Sequence, residues 1–243
     1  MTKDHEEMPF LEHLEELRWR IIKSLVAIAL CAIPCGIFWE KIFDVVMIYP
    51  LRHADPQPRL IVTSPPEAIL LSLKIAIAGG LILSTPVLFY QIWRFVAPGL
   101  YKHERFLIMP LVVTSVVSFL LGVGFSYLVL PYVINFLAGF GAGRMDALFK
   151  TNEYLGFLLR IILAFGLVFE LPVVSFVLTK LGIITPRFLI SKFRWALVII
   201  FIVAAVLTPP DIVSQMFLAA PLLVLYGISI LVSFIVAGKR KEA

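Results

Sequence analysis

Six long apolar runs dominate the chain, separated by short polar or proline-bearing segments. Runs of that kind leave few options, because a backbone among lipid tails must satisfy its own hydrogen bonds as a helix or a closed barrel. A helix needs about 20 apolar residues to cross a core of roughly 30 Å. Runs at 21–39, 68–89, 106–130, 154–181, 195–207 and 212–237 meet or approach that length. The chain is 60% hydrophobic and 15% charged with a mean hydropathy of +0.99, too apolar to cover a water-soluble surface. The expectation is an all-α polytopic membrane protein with six transmembrane helices forming one integral-membrane domain over 1–243. Within it, 1–20 reads as a cytoplasmic amphipathic helix, 21–237 as the bundle and 238–243 as a tail.

The net charge of +5 raises the question of nucleic acid only until the positive residues are placed. Most Lys and Arg fall on the N-terminal segment, the loops after spans two and four, and the tail, from Lys23 and Arg94 to Lys241. The opposite side holds Lys41, Arg52, Arg59, Arg144 and Lys150. The positive-inside rule then puts both termini in the cytoplasm. The first 17 residues are acidic, so span one reads as a retained helix rather than a signal peptide. Cys31 and Cys35 read as small packing residues.

Over residues 9–21, Phe10, Leu14, Leu17 and Ile21 share one helical face and His13, Glu16 and Arg20 another. This reads as an interfacial helix preceding the turn into the bilayer. Its charges are either solvated or functional, and Glu16 is unusual beside an anionic leaflet. In the segment 91–105, Pro98-Gly99 marks a turn, and Trp93, Phe95 and Tyr101 suit the headgroup level. Glu104 either caps span three or pairs with Lys102 or Arg105. Span five is short: sixteen residues between Arg194 and Asp211 reach about 24 Å, a mismatch that would thin the lipid locally or leave polar ends submerged.

Within the apolar runs, Glu170 lies mid-span, where a carboxylate normally faces a protein interior or cavity. Pro172 follows and would kink the helix. Arg160, ten residues earlier, is placed to snorkel to the outer boundary rather than pair with Glu170. Thr208 and Gln215 can offer interhelical hydrogen bonds. No zinc-helix spacing, nucleophile elbow or phosphate-binding loop is present, so neither an enzyme nor a metal or cofactor is expected. A proton-coupled small-solute transporter using Glu170 is the alternative function, although no internal repeat is visible.

Four motifs, in order, resemble the TatC family, the multispanning core subunit of the twin-arginine translocase, over residues 9–238. They are His13-Leu14-Glu15-Glu16-Leu17-Arg18; 95–105, FVAPGLYKHER; Ala164-Phe165-Gly166 through Phe169-Glu170-Leu171-Pro172; and Leu207-Thr208-Pro209-Pro210-Asp211 with Ser214-Gln215. The resemblance implies a receptor in the bacterial inner membrane for folded cargo whose signal peptides carry paired arginines. It implies that Glu16 and Glu104 bind that pair, with Arg18, Leu100, Tyr101 and Lys102 lining the region. Glu170 would face a concave interior, Thr208 and Gln215 would contact TatA/TatB-type single-span partners, and Asp211 matches a family position at the outer turn. The resemblance further implies self-association, contact with membrane lipid, energy from the proton-motive force and no nucleic acid. Two departures stand out: Gly227 replaces a common Glu, and Gly99 a common Ala.

Overall fold

The computed structural model describes residues 4–52, 54, 57–96, 108–140, 147–209 and 211–242, with side chains from Leu14 to Gly238 within them. Helix α1 runs from Asp4 to Ile37 without interruption. A separate helix over 1–20 is therefore not set off by a turn. No Gly or Pro stands between Phe10 and Ile33 to break the ladder, and Glu16 and Arg20 pair one turn apart along it.

After α1 come α2 (Trp39–Phe43), a π-helical turn (Asp44–Ile48), α3 (Tyr49–Arg52) and strand β1 (Arg59–Ile61). The second apolar run forms two helices, α4 (Glu67–Leu83) and α5 (Thr85–Val96), bent by 53°. Pro86 explains the bend, since its ring crowds the Ile82 carbonyl and it has no N–H to donate. The Thr85 hydroxyl donates to that same carbonyl at 2.8 Å, and Ser84 Oγ donates to Leu81 O at 3.0 Å. Then follow α6 (Ile108–Gly139), β2 (Leu148–Lys150), α7 (Thr151–Val168), α8 (Leu171–Lys180), α9 (Pro186–Ser191), α10 (Phe193–Leu207) and α11 (Ile212–Glu242). Four stretches are long and apolar enough to cross a membrane: Leu14–Ile37, Ile108–Gly139, Thr151–Lys180 and Ile212–Gly238. The bent pair α4–α5 and the 15-residue α10 occupy the remaining two apolar runs.

Contacts divide the chain into two compact units. The first comprises Met1–Trp39 and Ser72–Val116. Here α4 approaches α1 so closely that a Cβ on Gly80 would stand 2.8 Å from the Ala32 backbone. Trp93 is buried and donates its indole N–H to Ser115 Oγ at 2.8 Å. A buried indole requires such an acceptor, and α6 supplies one.

The second unit comprises Glu40–Leu71 and Val117–Ala243. Its core stripe is Leu155, Leu158, Ile161, Ile162 and Phe165, all buried on one face of α7 at three- and four-residue spacing. Helices α6 and α7 meet through glycines: a Cβ on Gly122 would lie 2.5 Å from Phe165 O, and one on Gly166 2.6 Å from Phe119. Close backbone approach of this kind is how apolar helices gain packing in lipid. Helices α8 and α11 are joined by Ser175 Oγ donating to Ser229 O (3.0 Å) and by the Thr179–Ser233 hydroxyl pair (2.7 Å).

At one end of this unit, β1 and β2 pair in parallel, Leu60 opposite Phe149, an element absent from the all-α reading. Thr151 Oγ1 donates to Ile61 O beside that pair. Ahead of α4, the Glu67 carboxylate turns back to the backbone N–H groups of Thr63 (2.6 Å) and Ser64 (3.3 Å), while the Glu67 N–H donates to Ser64 O. The other carboxylate oxygen accepts from the Asn152 N–H at 2.9 Å, tying the first loop to the start of α7. The π-helical turn is held from two helices, with Tyr127 Oη donating to Val45 O and Tyr154 Oη to Met47 O.

Candidate functional site

Glu16 lies on α1 with its side chain 38% exposed, while Arg20, one turn later, is 13% exposed. Glu16 Oε1 accepts from both Arg20 Nε (3.1 Å) and Arg20 Nη2. The same guanidinium reaches α5, where Nη1 donates to Gln91 Oε1 at 3.3 Å and Nη2 to Arg94 O at 3.4 Å. The carboxylate expected to read an arginine thus already holds one. Charge-assisted bonds of this kind are stronger than neutral ones. Arg18, by contrast, is exposed and only two residues from Glu16, so the two do not share a helical face. Glu104, Leu100, Tyr101 and Lys102 lie outside the described residues.

Glu170 is 6% exposed and stands in the two-residue break between α7 and α8. Its N–H donates to Leu167 O and its carbonyl accepts from Val174 N–H, so the backbone stays helical enough for Thr151–Lys180 to count as one span. The break follows from Pro172, which starts α8 at a position where its missing N–H costs nothing. Phe125 packs on both Phe165 and Phe169, with ring centroids 5.7 and 5.5 Å apart, immediately before the carboxylate. Glu170 is therefore enclosed by its own chain.

Thr208, Asp211 and Gln215 come together where α10 meets α11. Thr208 ends α10 and donates its hydroxyl to Ala204 O (2.8 Å). Gln215 Nε2 donates across to Phe201 O at 2.9 Å, which ties α11 to α10 as antiparallel neighbours. Asp211 Oδ1 accepts the Ser214 N–H at 2.6 Å, an N-cap for α11. Gly227, on α11, leaves open space where a larger side chain would project.

The spacing puts Arg20 on the Glu16 face, but its contacts with α5 carry no sequence signal, and Glu67 is not among the residues read from sequence. The contact of Glu67 with Asn152 carries no local signal either.

The TatC model, "Sec-independent protein translocase protein (TatC)", matches residues 12–221. Proteins named Sec-independent protein translocase protein TatC are similar over nearly their whole lengths. The one from Desulforapulum autotrophicum is 39% identical over 100% of this chain and 90% of its own. The Helicobacter pylori protein is 43% identical over 95% and 90%, and the Aquifex aeolicus protein 39% over 97% and 98%. The fold superimposes on a crystal structure of a twin arginine translocase receptor, TatC, with a TM-score of 0.83 and 37% identity. That match covers 92% of this chain and 99% of the other. The chain is thus an integral membrane component of a protein translocase, in a family not defined by catalysis. With its order of apolar helices, its motifs and its full-length likeness in agreement, the chain belongs to the TatC family of Sec-independent protein translocase proteins.

Proposed function

We propose that this Tat translocase subunit is the receptor for twin-arginine signal peptides, which bind at Glu16 and Glu104 on the cytoplasmic face. The observation that carries the reading is the Glu16–Arg20 contact: the carboxylate sits in a geometry that accepts a guanidinium at two nitrogens. A signal arginine offers the same donors, whereas lysine lacks the planar fork. Arg18, Leu100, Tyr101 and Lys102 line the approach. Thr208 and Gln215 mark the face for TatA/TatB-type partners, Asp211 braces that turn, and Glu170 acts in transport, powered by the proton-motive force.

The test is equilibrium binding of a fluorescent twin-arginine signal peptide to the detergent-solubilised full chain. Glu16→Ala and Glu104→Ala are each expected to weaken binding about tenfold, as loss of a charge-assisted bond does. A twin-lysine peptide should bind the unaltered chain with similar weakness. Unchanged binding in both variants would overturn the receptor assignment. Glu170→Ala is expected to bind the peptide within about twofold of the unaltered chain while failing in transport, since its side chain is enclosed. Equal loss of peptide binding would remove that division of labour.

A further inference from the structure

We propose that the second unit binds a phospholipid between α6, α7 and the end of α10, its phosphodiester held by Arg160 and Lys150 and an acyl chain along the apolar wall. Arg160 lies about 13 Å beyond the start of α7, in an apolar span of mean hydropathy 2.5. A guanidinium at that depth is costly unless it reaches the boundary or meets an anion. Its Nε donates to Gly156 O at 3.0 Å, so the side chain runs back towards the α7 N-terminus. A Cβ at Gly156 would meet nothing within 4 Å, which leaves room beside the guanidinium. Lys150 points the opposite way: its Nζ donates to Glu153 Oε1 at 3.3 Å, one turn into the helix. The two cations therefore lean towards each other along α7.

Both line one cavity of about 460 Å³. Its remaining wall is largely apolar, with Ile134, Leu137, Phe157 and Leu207. Arg160 pairs with no carboxylate among the described residues, and the side chain of Glu153 is 73% exposed to the surroundings. Lys150, Glu153 and Arg160 together leave one net positive charge. The complementary ligand carries one negative charge next to an apolar tail, which is the form of a phosphodiester lipid. Free phosphate would leave the apolar wall uncovered, and a neutral diacylglycerol would leave Arg160 without an anion.

Native mass spectrometry of the detergent-solubilised full chain, titrated with dioleoylphosphatidylglycerol, dioleoylglycerol or inorganic phosphate, tests the site. The phosphatidylglycerol is expected to bind about tenfold more tightly than the diacylglycerol, the difference one charge-assisted bond makes. Arg160→Gln should remove that preference, and Arg160→Lys should keep most of it, which separates lost charge from lost fold. Leu137→Trp, which fills the apolar wall and leaves both cations, should weaken phosphatidylglycerol as well. Arg187→Gln, on α9 at the far end of α10, should change nothing. Equal binding of the two lipids, or an undiminished preference in Arg160→Gln, would overturn the proposal. Displacement of the lipid by inorganic phosphate at equal concentration would do so too, by showing a soluble-anion site.

Discussion

One guanidinium, that of Arg20, meets acceptors on both α1 and α5 and so links Glu16 to the second helix. Arg20→Gln should therefore lower the thermal midpoint in detergent, with a loss of about 1.5 kcal/mol for the charge-assisted contacts. Glu67 makes the opposite case, an anion satisfied by donors. The Thr63 N–H, foremost, and then Asn152 and Ser64 hold its carboxyl below its ordinary value of 4.5, against the opposing effect of burial. A carboxyl lowered in the folded state contributes its full stability above the ordinary value and loses it as pH falls through the lowered one. Unfolding midpoints between about pH 7 and about pH 3 should thus fall more steeply for the unaltered chain than for Glu67→Gln. A parallel decline in the two would refute this assignment. Of the three backbone donors to Glu67, Thr63 and Ser64 are its near neighbours along the chain. Asn152, 85 residues away, was not legible in the sequence, because local pattern carries no information about a partner on another element.

Among the elements, glycines separate contact from open surface. Gly122→Ala would drive a methyl into the Phe165 carbonyl, backbone that cannot move aside cheaply, and overpacking of this kind costs about 1–3 kcal/mol. Gly227→Ala meets open space in a helix interior and should be neutral or raise stability by up to about 1 kcal/mol. Thermal unfolding of the two variants side by side is the check, and similar shifts would contradict the packing described. The apolar runs showed where helices lie, and Pro209-Pro210 where α10 must stop. The 53° bend at Ser84 was hidden in plain sight. Pro86 signalled it, but the flanking residues are strongly apolar, and hydropathy does not register a break whose carbonyls are satisfied by the hydroxyls of Ser84 and Thr85.

For the molecule as a whole, the asymmetry of Lys and Arg gives a direct expectation about orientation. Tags at the N- and C-termini should both resist protease added to spheroplasts, while a single cysteine placed at Gln57 should react with an impermeant maleimide. Labelling of the termini instead would reverse the topology and with it the cytoplasmic placement of Glu16. The sequence by itself determined that this is a helical membrane protein, roughly where its six apolar runs lie, and which family it resembles. Those features depend on hydropathy, prolines and contiguous motifs, all written along the chain. Only the tertiary structure decided which polar groups are already engaged: Glu16 by Arg20 and α5, Gln215 by α10, Glu67 by the start of α7, Trp93 by Ser115. A hydrogen bond needs atoms within about 3.5 Å at a suitable angle. Whether residues tens of positions apart reach that geometry is settled by how the helices pack.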